Sequence, residues 1–240
     1  MWLNKLSDCD VQQLKKYRLA DTADSESLDY SSLLDLKKLP ETLLMLTGRI
    51  GAPNACVTSS ILIKRMAFYA VIHIYAMTAL GKKLKTEPSK LKLIDSAQDD
   101  LWLPGFFMNP LEAEDPGENR DHWRDSIIRE VFADGLTPLI YLLKEQTRLK
   151  EEVMWENIAV YVHWIFKEIE ENHQLGEQAA KDRQYIFLEA PGKLFGTVHN
   201  PLTSFFQLSK KGRVTCCLSF MLRNREKKKC AACPLASRET

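Results

Sequence analysis

The sequence predicts a mainly α protein of the α+β class, with a helical body, a small β-hairpin near residues 91–104 and a cysteine-bearing C-terminal segment. Three observations carry that prediction. Glu151 to Asn172 sets Met154, Ile158, Tyr161, Val162, Ile165 and Ile169 on one stripe at 3.6 periodicity, the mark of an amphipathic helix. Ile61 to Leu80 is apolar on nearly every side of its second half, as a helix at the centre of a core must be. Leu91–Asp95 and Leu101–Pro104 alternate apolar and polar residues around Ser96–Asp100, the period of paired strands. With 240 residues, 45% hydrophobic and 27% charged, the chain has a globular rather than a disordered composition. Its expected division is a helical domain over 1–200 and a C-terminal segment over 201–240.

The elements follow in order. Ser7 and Asp8 cap a first helix carrying Val11, Leu14, Tyr17 and Arg18, and Ala20–Ser27 reads as polar linker. A second helix over Asp29–Leu46 carries Leu33, Leu34, Leu36, Leu39 and Leu43. Gly48–Asn54 is a loop by its Gly, Pro and Asn content. Thr58-Ser59-Ser60 then opens the central helix, which Gly81 stops and Lys82, Lys83 and Lys85 complement at the negative end of its dipole. Asn109 to Asn119 reads as loop, and Asp121 caps a helix with Trp123, Ile127, Ile128, Val131 and Phe132. That helix is expected to break near Gly135 and restart at Thr137-Pro138, with proline in its first turn. Tyr185–Leu188 reads as a short strand or a helix end.

The N-terminus turns acidic at Asp8-Cys9-Asp10, where a secretory signal would be apolar. Met66 to Leu80 is about 15 apolar residues and carries His73, too short to span a bilayer. These features predict a cytoplasmic protein with no transmembrane segment and at most peripheral membrane association. Formal net charge is +1, which implies no bulk preference for nucleic acid. The charge is unevenly placed. Residues 208–240 hold nine basic side chains, Lys210, Lys211, Arg213, Arg223, Arg225, Lys227, Lys228, Lys229 and Arg238, against Glu226 and Glu239.

Four of the six cysteines lie in that basic tail, as Cys216-Cys217, twelve intervening residues, then Cys230-Ala231-Ala232-Cys233-Pro234. Four thiolates in a short window suit one Cys₄ centre, and the C-x-x-C half is shared by zinc knuckles and iron–sulfur sites. Neighbouring side chains diverge in a helix and alternate in a strand, so a centre that takes both Cys216 and Cys217 demands irregular backbone there. A disulfide pair, a structural zinc and a [2Fe-2S] cluster are all compatible with the spacing. A reducing compartment disfavours the first, and zinc sites are usually built from two knuckles rather than a vicinal pair.

The Cys-Cys pair, the spacer and the terminal Cys-x-x-Cys-Pro resemble the FhuF-type ferric siderophore reductases, although the spacer Leu218–Lys229 is slightly longer than that family's pattern. The resemblance implies that Cys216, Cys217, Cys230 and Cys233 ligate a [2Fe-2S] cluster. It makes residues 1–200 a substrate-binding domain and the product ferrous iron released from a siderophore. The middle of the chain is also similar to the helical domain of IucA/IucC-type siderophore synthetases. No Gly-rich phosphate loop or Walker motif, no Ser-His-Asp or HExxH constellation and no dinucleotide fingerprint is present. Electrons are therefore expected from an external ferredoxin, flavodoxin or reductase. The basic tail would steer that donor or an anionic chelate; otherwise it is a solvated run of charge. A zinc-stapled module that binds siderophore or nucleic acid, or an iron–sulfur redox sensor, would use the same cysteines.

Five further residues are substrate-site candidates. Lys64 and Arg65 stand in the first turns of the central helix, where cations are not favoured by the dipole. Trp155 and Asn157 lie off the stripe of the 151–172 helix, and the Ser59-Ser60…Lys64-Arg65 and Met154–Asn157 runs resemble the family's pocket helices. His199 lies in a loop before Phe205-Phe206. Each has a plainer reading, as a snorkelling cation, a packed indole, a solvated amide or a structural histidine. His73 is most simply a core histidine and His163 a helix-face one.

Overall fold

A capping box starts the first helix of the computed structural model, which describes residues 6–24, 27–95, 101–172, 175–208, 212–225, 228–230 and 233–236. In it the Ser7 hydroxyl and the Asp10 carboxylate accept each other's backbone N–H groups, opening α1 (Asp8–Lys15). β1 (Leu19–Ala20) and β2 (Leu28–Asp29) precede α2 (Tyr30–Leu34) and α3 (Leu39–Ile50). The single helix expected over 29–46 is thus two. Pro40 sits in the first turn of α3 and has no N–H with which to continue the preceding turn.

α4 (Ala55–Tyr75) starts earlier than Thr58, because the Asn54 side chain accepts the Val57 N–H at 3.1 Å. Lys64 and Arg65 therefore sit in the third turn, beyond the reach of the helix N-terminus. A π-helical stretch over 76–80 carries the helix on to Gly81, whose left-handed φ of +63° ends it. The continuous run of 26 residues from Ala55 to Leu80 is long and apolar enough to cross a membrane, which overturns the length argument made from Met66–Leu80 alone. Most of its apolar window, 83%, is buried inside the protein, as a core helix requires.

β3 (Lys83–Lys85), β4 (Lys92–Ile94), β5 (Gly105–Phe107) and β6 (Glu112–Glu114) follow. One sheet has the order β1-β5-β4-β2, with β1 parallel to β5 and the other pairs antiparallel. The hairpin exists, but its second strand is Gly105–Phe107 and not Leu101–Pro104, in register Ile94↔Gly105 and Lys92↔Phe107. Pro104 has no N–H for a ladder, and the Trp102 carbonyl is taken by Arg65 Nε at 2.8 Å. The Ser96–Asp100 turn lies outside the described residues. β6 pairs antiparallel with β3 inside the stretch that reads as loop.

α5 (Arg120–Arg129) does not break near Gly135. Residues 130–136 widen into a π-helix that runs into α6 (Thr137–Thr147). Gly135 is needed there, since a Cβ would stand 3.0 Å from the Tyr69 ring, and its carbonyl accepts the Tyr30 hydroxyl at 2.5 Å. α7 (Glu151–Asn172) has the bounds the periodicity predicts, and α8 (Gly176–Gln184) ends in a π-turn over 185–189. α4 and α7 form the most extensive helix pair, and their buried faces make the core. His73 belongs to that core. Its Nδ1 faces the Tyr69 carbonyl at 2.8 Å and its Nε2 the Thr86 hydroxyl at 3.0 Å, so the neutral ring donates from Nδ1 and accepts at Nε2. His163 stacks on Phe187 at 4.1 Å with Nε2 2.8 Å from the Phe205 carbonyl.

Candidate metal centre

One end of the α4–α7 seam is polar, which is unusual for a core this apolar. Ser60 on α4 and Glu156 and Asn157 on α7 are all fully buried. Asn157 Nδ2 donates to both the Ser60 carbonyl and its hydroxyl oxygen at 3.1 Å, stitching the two helices together. The remaining acceptors point outward to the segment that carries the first two cysteines. Glu156 accepts the Val214 N–H at 2.6 Å, the Thr215 N–H at 2.8 Å, the Thr215 hydroxyl and the Arg213 guanidinium at 3.3 Å. Arg213 also donates to Asn157 Oδ1 at 2.7 Å. A buried carboxylate is tolerable only when its lone pairs are filled, and here a loop fills them.

Two more contacts hold the tail. The Ser60 hydroxyl donates to the Cys217 carbonyl at 2.8 Å, and the Arg223 N–H donates to the Gly51 carbonyl at 3.0 Å. Between them the backbone is irregular, as ligation by adjacent cysteines demands. Leu218 adopts a left-handed φ of 61°, and its N–H turns back to Cys216 Sγ at 3.4 Å. A non-glycine residue there costs about 1–2 kcal/mol, which the surrounding contacts must offset.

The four cysteines come together on this face. Cys216 Sγ lies 3.7 Å from Cys233 Sγ. Cys217 Sγ lies 3.1 Å from the Ser219 hydroxyl and 3.9 Å from Lys64 Nζ, and it shares a cleft with Cys230. The Cys233 N–H closes the C-x-x-C turn on the Cys230 carbonyl at 2.9 Å. Burial above all pushes the Cys216 thiol up to about 11, Leu218 opposing and Cys233 and Cys217 adding. Burial also leads in raising Cys230, with Cys217 and Cys233 next. Cys217 is the exception. Burial pushes it up, but Lys64, Ser219 and Arg213 together outweigh that and leave it below the usual thiol value. Among the described residues no group of three or more His, Cys, Asp or Glu side chains is gathered as a cage for one metal ion. What is gathered is one close pair, Cys216 and Cys233, with Cys217 and Cys230 beside it.

The five other candidates do not converge. Lys64 faces the thiols. Arg65, buried, is directed to the Trp102 carbonyl. Asn157 is consumed by Ser60 and Arg213. Trp155 packs edge-on to Phe195, and its rim joins His199, Val198, Phe205, Val214 and Thr215 around a separate cleft of about 480 Å³. In the basic tail, Lys229 Nζ donates to the Leu235 carbonyl at 3.1 Å, while Lys210, Lys211, Lys227 and Arg238 lie outside the described residues. Ser60 and Glu156 fell inside the two runs that resemble the family's pocket helices and Arg213 inside the basic tail, but none was singled out for holding the cysteine segment. The available signal was two adjacent polar residues, Glu156-Asn157, in a helical turn with little surface to spare.

Residues 94–212, about half of the chain, match the family model described as ferric iron reductase FhuF-like transporter. The matched span includes Trp155, Glu156, Asn157 and His199 and ends just before the cysteines. It names no IucA/IucC-type synthetase. No curated protein matches the chain. Through the 94–212 match the chain belongs to the FhuF-like family of ferric iron reductases.

Proposed function

We propose that the protein is a cytoplasmic ferric siderophore reductase whose Cys216, Cys217, Cys230 and Cys233 hold a [2Fe-2S] cluster. The observation that carries this reading is the arrangement of the four thiols. Two sulfurs each about 2.3 Å from one tetrahedral metal lie about 3.8 Å apart. The 3.7 Å between Cys216 and Cys233 fits two ligands of one metal. Cys217 and Cys230 line one cleft close by, which brings the thiols at this face to four, the number a [2Fe-2S] centre takes. The donor set therefore fits the group, which when bound supplies single electrons at this face.

The chain's own residues do the rest. Glu156 holds the Val214–Thr215 backbone, Asn157 the Arg213 side chain and Ser60 the Cys217 carbonyl, which together fasten the segment around Cys216 and Cys217 to the helical body. Lys64 and Arg213 place positive charge beside Cys217, which favours added negative charge on the thiolate side. The ferric ion of the substrate gains one electron and becomes ferrous. Hard oxygen donors hold ferrous iron far more weakly than ferric, so the chelate releases it. No proton transfer is required of a side chain. The electron comes from an external ferredoxin, flavodoxin or reductase.

Anaerobic titration tests this. Dithionite-reduced protein, freed of excess reductant, should be re-oxidised stoichiometrically by a ferric siderophore, with ferrous iron captured by a chromogenic chelator. A redox sensor would give no captured ferrous iron, and a colourless, zinc-bearing protein would end the proposal.

A further inference from the structure

We infer that the cleft at Trp155 and His199 is the substrate subsite, and that it takes an uncharged, amide-bearing aliphatic arm of the ferric chelate. This rests on the reductase reading and adds to it the part of the substrate that is recognised. The cleft has a volume of about 480 Å³, within the roughly 300–1,000 Å³ of small-molecule sites. Val214 and Thr215, whose N–H groups Glu156 holds, form one part of its wall. Thr215 is bonded to Cys216, and consecutive Cα atoms are about 3.8 Å apart, so a ligand here lies against the backbone that carries the first thiol. Another part of the wall is the turn over residues 197–199, which is fixed in place. A Cβ at Gly192 would stand 2.6 Å from the Val198 backbone, and the Thr197 hydroxyl donates to the His199 carbonyl at 2.8 Å.

Three features describe the occupant. The first is apolar surface. Val198 and Val214 line the cleft yet are 87% and 70% exposed, surface that an aliphatic chain would cover. The second is a spare donor. Trp155 is only 3% exposed, but its indole N–H has no hydrogen-bond partner among the described residues. That nitrogen is not among the polar atoms sealed from solvent, so it opens onto the cleft that Trp155 lines. A nearly buried donor of this kind calls for an acceptor, and an amide carbonyl supplies one without charge. The third is the sign of the lining, which contains Glu151 and Glu152 but no lysine or arginine. Lys144 engages Glu151 at 2.6 Å, whereas Glu152 is exposed and has no ion pair among the described residues. An anionic arm is repelled there.

The other clefts are worse placed. The roomiest, about 720 Å³, has none of the cysteine segment in its lining. The cleft of about 340 Å³ is lined by Cys217 and Cys230 themselves, and its cations are turned inward, Lys64 to Cys217 and Arg213 to Glu156.

Binding can be measured without electron transfer by using redox-inert gallium(III) in place of iron. Anaerobically purified protein is titrated calorimetrically with two uncharged gallium chelates that share one donor set. One is tris-acetohydroxamate, which has no arms; the other is an N-acetylated linear trihydroxamate with amide-bearing five-carbon arms. The armed probe should bind at least about tenfold more tightly, the size expected of one hydrogen bond and a few buried methylenes. Trp155→Phe should lower its affinity about fivefold by removing the donor. Because Trp155 also packs in the core, a second variant is made at exposed Glu152. An N-succinylated, anionic version of the armed probe should bind a few-fold more weakly than the acetylated one at low salt, and Glu152→Gln should erase that difference. Equal affinity for the armed and armless probes overturns the inference, as does wild-type behaviour of both Trp155→Phe and Glu152→Gln. The outcomes separate the two claims. Arm-selective binding to a protein without iron–sulfur absorption would sink the reductase reading alone, and siderophore reduction without arm selectivity would sink this one alone.

Discussion

Glu156 and Asp182 are both carboxylates with no exposed surface, yet they do opposite work. Asp182 binds helices to one another. Arg120 grips it in two contacts at 2.9 and 2.7 Å from α5, Thr78 donates to it at 3.1 Å from the end of the α4 run, and Gln178 donates at 3.1 Å from its own helix. Glu156 binds a helix to backbone with no regular structure, the stretch leading into Cys216. The first carboxylate neutralises cations that the fold buries. The second takes the buried Arg213 guanidinium and, with it, the backbone N–H groups that an irregular loop leaves over. Stability of the body and placement of the thiols are thus assigned to different buried charges, and each can be removed separately.

The largest effect is expected from Asp182→Ala, which leaves Arg120 without its carboxylate and takes from the mostly buried Arg124 the more distant of its two, Asp121 remaining at 3.1 Å. Breaking one side of a buried ion pair costs about 3–5 kcal/mol. Arg120 can recover some water because a third of its side chain is exposed, so the lower figure applies. A urea midpoint shifted by that amount, with metal content per folded chain unchanged, is the expected result. A parallel loss of metal would erase the distinction between the two carboxylates.

Acid should loosen the same body through His73. Burial above all lowers His73 to about 4 from its ordinary 6.5, Tyr69 opposing and Lys83 assisting. The unfolded ring therefore takes a proton first as pH falls. His73's contribution is fully present above pH 6.5, declines as pH drops towards 4, and is gone below that. The shift corresponds to about 3 kcal/mol. His73→Phe should flatten the stability profile in that window, and an unchanged slope would assign the acid sensitivity elsewhere.

A more local effect is expected from Glu156→Gln, which keeps the shape and removes the charge. Hydrogen bonds to a charged acceptor contribute about 1.5–3 kcal/mol. The loss should appear as faster hydrogen exchange at Val214 and Thr215 and faster alkylation of Cys217, while exchange in α5 and α8 stays as before. Uniform loosening would make Glu156 another body carboxylate like Asp182. The smallest change is Ser60→Ala, which removes the donor to the Cys217 carbonyl for about 1 kcal/mol. It should speed Cys217 alkylation without a measurable shift in the urea midpoint. A midpoint shift as large as that of Asp182→Ala would make Ser60 part of the body.

The body was far more legible than the site. α7 could be bounded from its stripe because a 22-residue helix repeats its period many times. Strands of two or three residues repeat nothing, so β1, β2, β3 and β6 left no pattern and the second hairpin strand was displaced. The π-helical joins at 76–80 and 130–136 were invisible for a related reason: one wider turn leaves local composition unchanged. At the site, the thiols and the irregular backbone between them followed from Cys-Cys alone. Their support did not. Glu156 and Ser60 act through partners more than fifty residues away, and only the packing of α4 on α7 makes them neighbours of Val214, Thr215 and Cys217. Lys64 was singled out for lying in an unfavourable dipole position, yet it sits in the third turn and matters for its distance to a sulfur.

The central claim is that Cys216, Cys217, Cys230 and Cys233 share one iron–sulfur centre. Iron and acid-labile sulfide determined together with EPR, on anaerobically purified wild type and Cys230→Ser, test it most directly. The account predicts iron and sulfide in equal amounts, a signal that appears on dithionite reduction, and loss of both in the variant. Zinc in place of iron, or an unchanged signal in Cys230→Ser, would contradict it.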